Sequence, residues 1–146
     1  MDVLSRFHPI IARWFLDNIG QPTRVQEETW QKVSAGEHVL ITAPTGSGKT
    51  LAAFLWAINQ LVTGQFATGH TGILYVSPLK ALNNDIQRNL LEPLGELKEA
   101  FLGNRTPFLE IRILTRSGDT PEVGTAPELL EQVARAPVRI LELPEA

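Results

Sequence analysis

A glycine-rich run that ends in lysine and threonine carries the clearest chemical signal in the sequence. It reads Ala-Pro-Thr-Gly-Ser-Gly-Lys-Thr over residues 43–50. Two glycines allow the backbone to curl, so that successive N–H groups point at phosphate oxygens. The lysine charge suits the β- and γ-phosphates, and the last hydroxyl suits Mg²⁺. The pattern predicts a site for a nucleoside triphosphate with Mg²⁺, which we expect to be ATP, formed by Thr45, Gly46, Ser47, Gly48, Lys49 and Thr50.

The segments on either side of this run are those that a phosphate loop requires. Residues 38–41 form a short apolar run typical of a buried strand, and residues 50–61 are apolar nearly all round, as in an enclosed helix. The amino terminus of that helix adds a favourable field for an anion. An ordinary glycine-rich turn is the alternative, which the strand–loop–helix order disfavours. Ala43 departs mildly from the general pattern, which begins with glycine.

Residues 1–36 are predicted to be helical. Gly20 suits the C-terminal cap of a first helix and Pro22 cannot continue it. A second helix is expected to start near Thr23 and to end at Gly36. Apolar spacing places Ile10, Ile11, Trp14, Phe15 and Ile19 on one face of the first helix, and Val25, Thr29, Trp30 and Val33 on the inner face of the second.

Residues 37–120 alternate apolar runs with helical segments. Further strands are expected at 73–76 and 111–114, and a helix is expected over 81–101, interrupted or kinked at Pro93. This alternation predicts an α/β fold, with a parallel sheet flanked by helices.

The last region, residues 121–146, differs in composition and pattern from the regions before it. It opens with a loop that contains proline and glycine, followed by a possible short helix over 128–136. A fourth strand is expected at 138–141, so the region is treated as a divergent tail.

Composition narrows the class of protein. The chain has 146 residues, a formal net charge of −3 and no cysteine, which excludes disulfides and thiolate metal sites. We find neither a signal peptide nor an apolar stretch of about 18 residues, so we expect a cytoplasmic protein and no contact with a membrane. The net charge neither indicates nor excludes nucleic-acid binding, because a basic groove can lie on an acidic domain.

Four segments together resemble a known family. They are residues 14–26, 36–55, 115–120 and the run Leu-Tyr-Val-Ser-Pro-Leu-Lys-Ala-Leu-Asn-Asn-Asp at 74–85. In this order they resemble the first part of a superfamily 2, DEAD/DEAH-like nucleic-acid helicase, and more closely the large helicase-related (Lhr-type) DNA helicases. Many ATPases share a phosphate loop, whereas the run at 74–85 is far more specific.

The resemblance implies a RecA-like fold over residues 37–120 and ATP hydrolysis coupled to unwinding, with DNA as the expected nucleic acid and RNA or a hybrid as alternatives. It also implies DNA repair and 3′-to-5′ movement. Gln26 would read the adenine edge, because an amide both donates and accepts; a surface glutamine is the alternative. Phe7, Trp14 or Phe15 could flank the base, although aromatic residues at helical spacing are more often core.

The same resemblance implies nucleic-acid contacts at two loops. Charge and amide donors in the first suit backbone phosphates, and a glycine in the second permits close approach. The alternatives are a solvated loop with an asparagine helix cap, and an ordinary Ser-Gly-Asp turn. The expected contact residues are Pro78, Lys80, Asn83, Asn84, Arg116, Gly118 and Thr120.

The sequence also departs from the family pattern. It contains no Asp-Glu pair, which in such enzymes holds Mg²⁺ and polarises the attacking water, so we expect a RecA-like domain truncated before that motif. Its sheet would then close without its middle strands or leave edges unpaired, with marginal stability.

Three alternative hypotheses of function stay open at this point. The first is an ATP- or nucleic-acid-binding fragment without turnover, and the second is a small P-loop kinase or other NTPase. The third is a pseudogene product. The run at 74–85 would be unexplained in a kinase.

Overall fold

The computed structural model describes residues 2–44, 48–66, 72–75, 87–111, 113 and 140–142. The described elements in chain order are a 3₁₀ turn at Val3–Arg6, helices α1 (Pro9–Asn18) and α2 (Arg24–Ser34), strand β1 (Val39–Ile41), helix α3 (Lys49–Val62), a π-helical turn at Gln87–Leu91, helix α4 (Glu92–Gly103) and strand β2 (Ile140–Glu142).

Local signals explain the first two helices, and both helices are confirmed. Two residues of the predicted inner faces differ, because Ile19 is 49% exposed and Val25 is only half-buried. His8 caps α1, because its Nδ1 accepts from the Ile10 N–H at 3.2 Å. Thr23 caps α2 in a capping box, in which side chain and backbone of Thr23 and Gln26 bond reciprocally. Gly36 has a φ of 81°, so it follows the helix in the left-handed conformation that glycine tolerates.

Helix α3 is the centre of the apolar core. Every residue from Leu51 to Asn59 is buried, which confirms the prediction of a helix enclosed on all sides. Phe7 and Phe15 both meet the Trp30 ring edge-on, with ring centroids 4.9 and 5.4 Å apart. Residues of the 3₁₀ turn, α1, α2, α3 and α4 share this single cluster.

Pro93 marks a change in helix type. The chain runs through a π-helical turn at Gln87–Leu91 and then into α4, where Pro93 occupies the first turn. A proline there costs little stability, because the first N–H groups of a helix have no intrahelical partner. The expected interruption at Pro93 is therefore the start of an α-helix.

The strand predictions have mixed outcomes. β1 forms as expected and pairs in parallel with β2, with Ile41 opposite Glu142, so the fourth strand is confirmed with its start two residues later than expected. The strands expected at 73–76 and 111–114 are wrong for their described residues, which take part in no strand. A strand needs a partner ladder as well as apolar residues, and the only ladder within the described ranges joins β1 to β2.

Candidate nucleotide-binding site

The site begins at the carboxyl end of β1. Ile41 ends the strand, and α3 starts at Lys49. Lys49 and Thr50 lie in the first helical turn and are half-buried. The expected strand and helix therefore follow one another in the described residues, whereas Thr45, Gly46 and Ser47 of the predicted site lie outside them.

Gly48 joins the loop to the helix in a conformation that favours glycine. Its φ of 85° and ψ of 19° are left-handed, and its carbonyl accepts the first helical bond, from the Ala52 N–H at 3.0 Å. A Cβ at this position would also collide with Nε2 of Gln26. Residue 48 is thus restricted both by backbone geometry and by its neighbour.

Gln26 lies against this glycine. Its Nε2 donates to the Gly48 carbonyl at 3.3 Å, and its Oε1 accepts from the Thr23 N–H at 2.9 Å. The residue is only 2% exposed, so the alternative of a surface glutamine is wrong. Its contact with adenine stays a prediction.

A second hydrogen bond joins the same two helices one turn further on. The buried Trp30 Nε1–H donates to the Ala52 carbonyl at 2.9 Å. The two donors on α2 are four residues apart, and so are the two acceptors, Gly48 and Ala52. Sequence reasoning placed Trp30 in the core but missed this pairing, because the two residues are 22 positions apart and meet only through helix packing.

The aromatic residues considered as base neighbours have other partners. Phe7 and Phe15 are buried and pack on Trp30, which favours the core interpretation for both. Trp14 donates its indole N–H to Glu96 Oε2 at 2.8 Å. It also lines a cleft of about 300 Å³ between α1 and the start of α4, together with Leu51 of α3.

Charge at the surface of α2 is locally paired. The Glu28 carboxylate raises the pKa of the Arg24 guanidinium, first by their hydrogen bond of 2.7 Å and second by its charge. Both side chains are exposed, so the pair contributes little to stability.

The predicted nucleic-acid contacts all lie outside the described residues and stay predictions. They are Pro78, Lys80, Asn83, Asn84, Arg116, Gly118 and Thr120. None of the helices within the described ranges is long and apolar enough to cross a membrane.

Comparison with known proteins identifies the family. The profile of the DEAD/DEAH box helicase family matches residues 23–139, which extends beyond residue 120 into the region set apart as divergent. The chain is 43% identical over 122 residues to the Escherichia coli protein named Lhr helicase/uracil glycosylase, covering 79% of this chain and 8% of that protein. It is 41% identical over 143 residues to the Thermococcus barophilus ATP-dependent helicase Lhr-Core protein 2, covering 93% of this chain and 16% of that protein.

A solved structure also indicates similarity to this family. It is that of Mycobacterium smegmatis helicase Lhr bound to ssDNA and AMP-PNP, with a TM-score of 0.73 and 40% identity, over 96% of this chain and 17% of that one. The chain thus spans less than a fifth of the length of each of these relatives. Family and structural neighbour together imply a RecA-like α/β fold, and the chain belongs to the DEAD/DEAH box helicase family, with Lhr-type helicases among its relatives.

Proposed function

We propose that this chain binds ATP with Mg²⁺ through residues 43–50 and forms the nucleotide-binding part of an ATP-dependent DNA helicase of the Lhr type. One observation carries the proposal: α3 starts at Lys49, directly after the left-handed Gly48 and downstream of β1. The N–H groups and the dipole at the start of this helix favour an anion.

The described donors fit a magnesium–triphosphate complex. Lys49 supplies a fixed positive charge at the helix start, and the adjacent Thr50 supplies a hydroxyl, a hard oxygen ligand of the kind that Mg²⁺ prefers. Bound Mg²⁺ would neutralise charge on the β- and γ-phosphates. Thr45, Gly46 and Ser47 would add backbone N–H donors, and Gln26 would read adenine.

The relatives support the wider role. One of them is named an ATP-dependent helicase, and the solved relative was captured with ssDNA and AMP-PNP. We propose that this chain likewise contacts DNA in a cytoplasmic helicase, with backbone phosphates held by Pro78, Lys80, Asn83, Asn84, Arg116, Gly118 and Thr120.

Binding without turnover is the second candidate. It is favoured by the absence of an Asp-Glu pair from these 146 residues. In this reading the chain by itself holds Mg²⁺ and ATP but lacks the carboxylate that polarises the attacking water.

Phosphate release by the purified chain with Mg²⁺ and ATP, with and without single-stranded DNA, separates the two candidates. Release that DNA stimulates and that Lys49→Ala abolishes would establish ATP turnover by this site. ATP binding without release would establish the second candidate. An unchanged signal in Lys49→Ala would assign the release to a contaminant and remove support for the first.

A further inference from the structure

We propose that an exposed face of α4 is a self-association surface, on which two copies of this chain pair their α4 helices in antiparallel orientation. This surface consists of Leu91, Gly95, Lys98 and Leu102, and we call it the α4 seam. The proposal goes beyond the ATP site and uses none of its residues.

The seam residues share one face of the helix. Leu91 directly precedes α4 with helical backbone angles, φ −69° and ψ −45°, so helical geometry already holds at this residue. The seam then continues in steps of four, three and four residues, the spacing by which paired helices align their contact side chains. All four residues are exposed, Leu91 by 39% and Leu102 by 61%, whereas Leu97 and Phe101 of the same helix are buried in the core.

The shape of the seam is self-complementary. An exposed leucine lies at each end, and Gly95 leaves a gap between them, because nothing lies within 4 Å of a Cβ added there. When two seams run antiparallel about their midpoint, Leu91 of one copy meets Leu102 of the other. Lys98 then crosses the gap at Gly95 of the second copy, and both leucine contacts remove apolar surface from water.

The charges beside the seam favour the same arrangement. Lys98, Glu92 and Glu99 are exposed, and no ion pair within the described part of the chain involves them. Glu92 lies three residues before Gly95 and Glu99 four residues after it, so both carboxylates flank the gap. In the antiparallel pair each gap receives the Lys98 ammonium of the other copy. A parallel pair would place Lys98 against Lys98.

This pattern selects a second copy of the chain as the occupant. One surface carries both the cation and the carboxylates that bind it, so a two-fold axis satisfies the charges of both copies at once. The contact is small, and we therefore expect a weak dimer with a dissociation constant of about 10–100 μM.

Sedimentation equilibrium of the purified chain over this concentration range is the first test. We expect the wild-type chain to dimerise, and Lys98→Glu to dimerise at least about tenfold more weakly, because it sets a third carboxylate among those at the gap. Lys32→Glu reverses an exposed charge on α2 and should pair as the wild type does. Circular dichroism checks the folding of each variant.

Disulfide formation tests the register. The chain contains no cysteine, so a single introduced thiol reports the position of its own residue. Under mild oxidation, Leu91→Cys mixed with Leu102→Cys should cross-link about tenfold faster than either variant mixed with Leu16→Cys, because pairing raises the local concentration of one thiol at the other. Leu16 is 41% exposed on α1 and serves as the control position.

Three results would overturn the proposal. The first is a chain that stays monomeric throughout this concentration range. The second is a dimer that Lys98→Glu leaves intact, because its interface would then lie elsewhere. The third is faster disulfide formation by Leu102→Cys alone than by its mixture with Leu91→Cys, which would establish parallel pairing.

Discussion

The Trp30 indole N–H donates to the Ala52 carbonyl at 2.9 Å, one turn beyond the bond from Gln26 to Gly48. Two donors on α2 thus match two acceptors on α3 with the same four-residue spacing. Helix α2 is thereby fixed in register on the first turns of the helix that follows the phosphate loop. Stability of the core and geometry of the candidate site therefore depend on the same contacts.

Trp30→Phe tests the second of these bonds. The substitution keeps a buried aromatic ring but removes the N–H, so we expect a loss of about 1–2 kcal/mol in the free energy of unfolding. Chemical denaturation measures it. Trp56→Phe is the control, because the buried Trp56 Nε1 has no hydrogen-bond partner among the described residues. Equal losses in the two variants would show that the Trp30 bond contributes nothing specific.

Gly48→Ala tests the junction between loop and helix. An alanine there would adopt a φ of 85° and collide with Gln26, so we expect a loss of about 1–3 kcal/mol in stability, together with weaker ATP binding. Gly95→Ala in α4 is the matched control, because nothing lies within 4 Å of its added Cβ. In that helical position alanine should be neutral or stabilise by up to about 1 kcal/mol. Thermal melts measure the change in stability of both variants. A Gly48→Ala chain as stable as wild type would contradict the described junction.

His8→Ala tests how the amino-terminal region is attached. The His8 side chain caps α1, and the His8 backbone N–H donates to Asn59 Oδ1 at 2.8 Å. The centroids of the His8 and Phe101 rings lie 4.7 Å apart. Loss of the cap and of the ring contact should cost about 1–2 kcal/mol in the free energy of unfolding. His8→Asn restores a capping side chain and should recover part of this loss in urea denaturation. No recovery would mean that the cap is unimportant beside the ring contact.

Local patterns explain what the sequence predicts well. The ends of α1 and α2 follow from Gly20, Pro22, Thr23 and Gly36, and the burial of α3 follows from its continuous apolar composition. Strand pairing joins residues that are far apart in sequence. Periodicity alone therefore could not establish whether the strands expected at 73–76 and 111–114 find a partner.

The candidate site likewise has one part that the sequence predicts and one part that it does not. The glycine-rich run predicts its position from local chemistry. The burial of Gln26 was missed because a polar residue on an inward face is predicted by neither hydropathy nor helix propensity. Its partner Gly48 is 22 residues away along the chain, and only the packing of α2 on α3 brings the two together.

Equilibrium binding of Mg²⁺-ATP to the purified chain tests the central claim most directly, with Lys49→Ala compared with Lys32→Ala. Lys32 is exposed on α2 and paired only loosely with Glu37, at 3.9 Å. We expect Lys32→Ala to bind as the wild type does, and Lys49→Ala to bind about 10- to 100-fold more weakly, because a charge-assisted bond to phosphate is lost. Equal affinities of the two variants for ATP would contradict a phosphate site at residues 43–50.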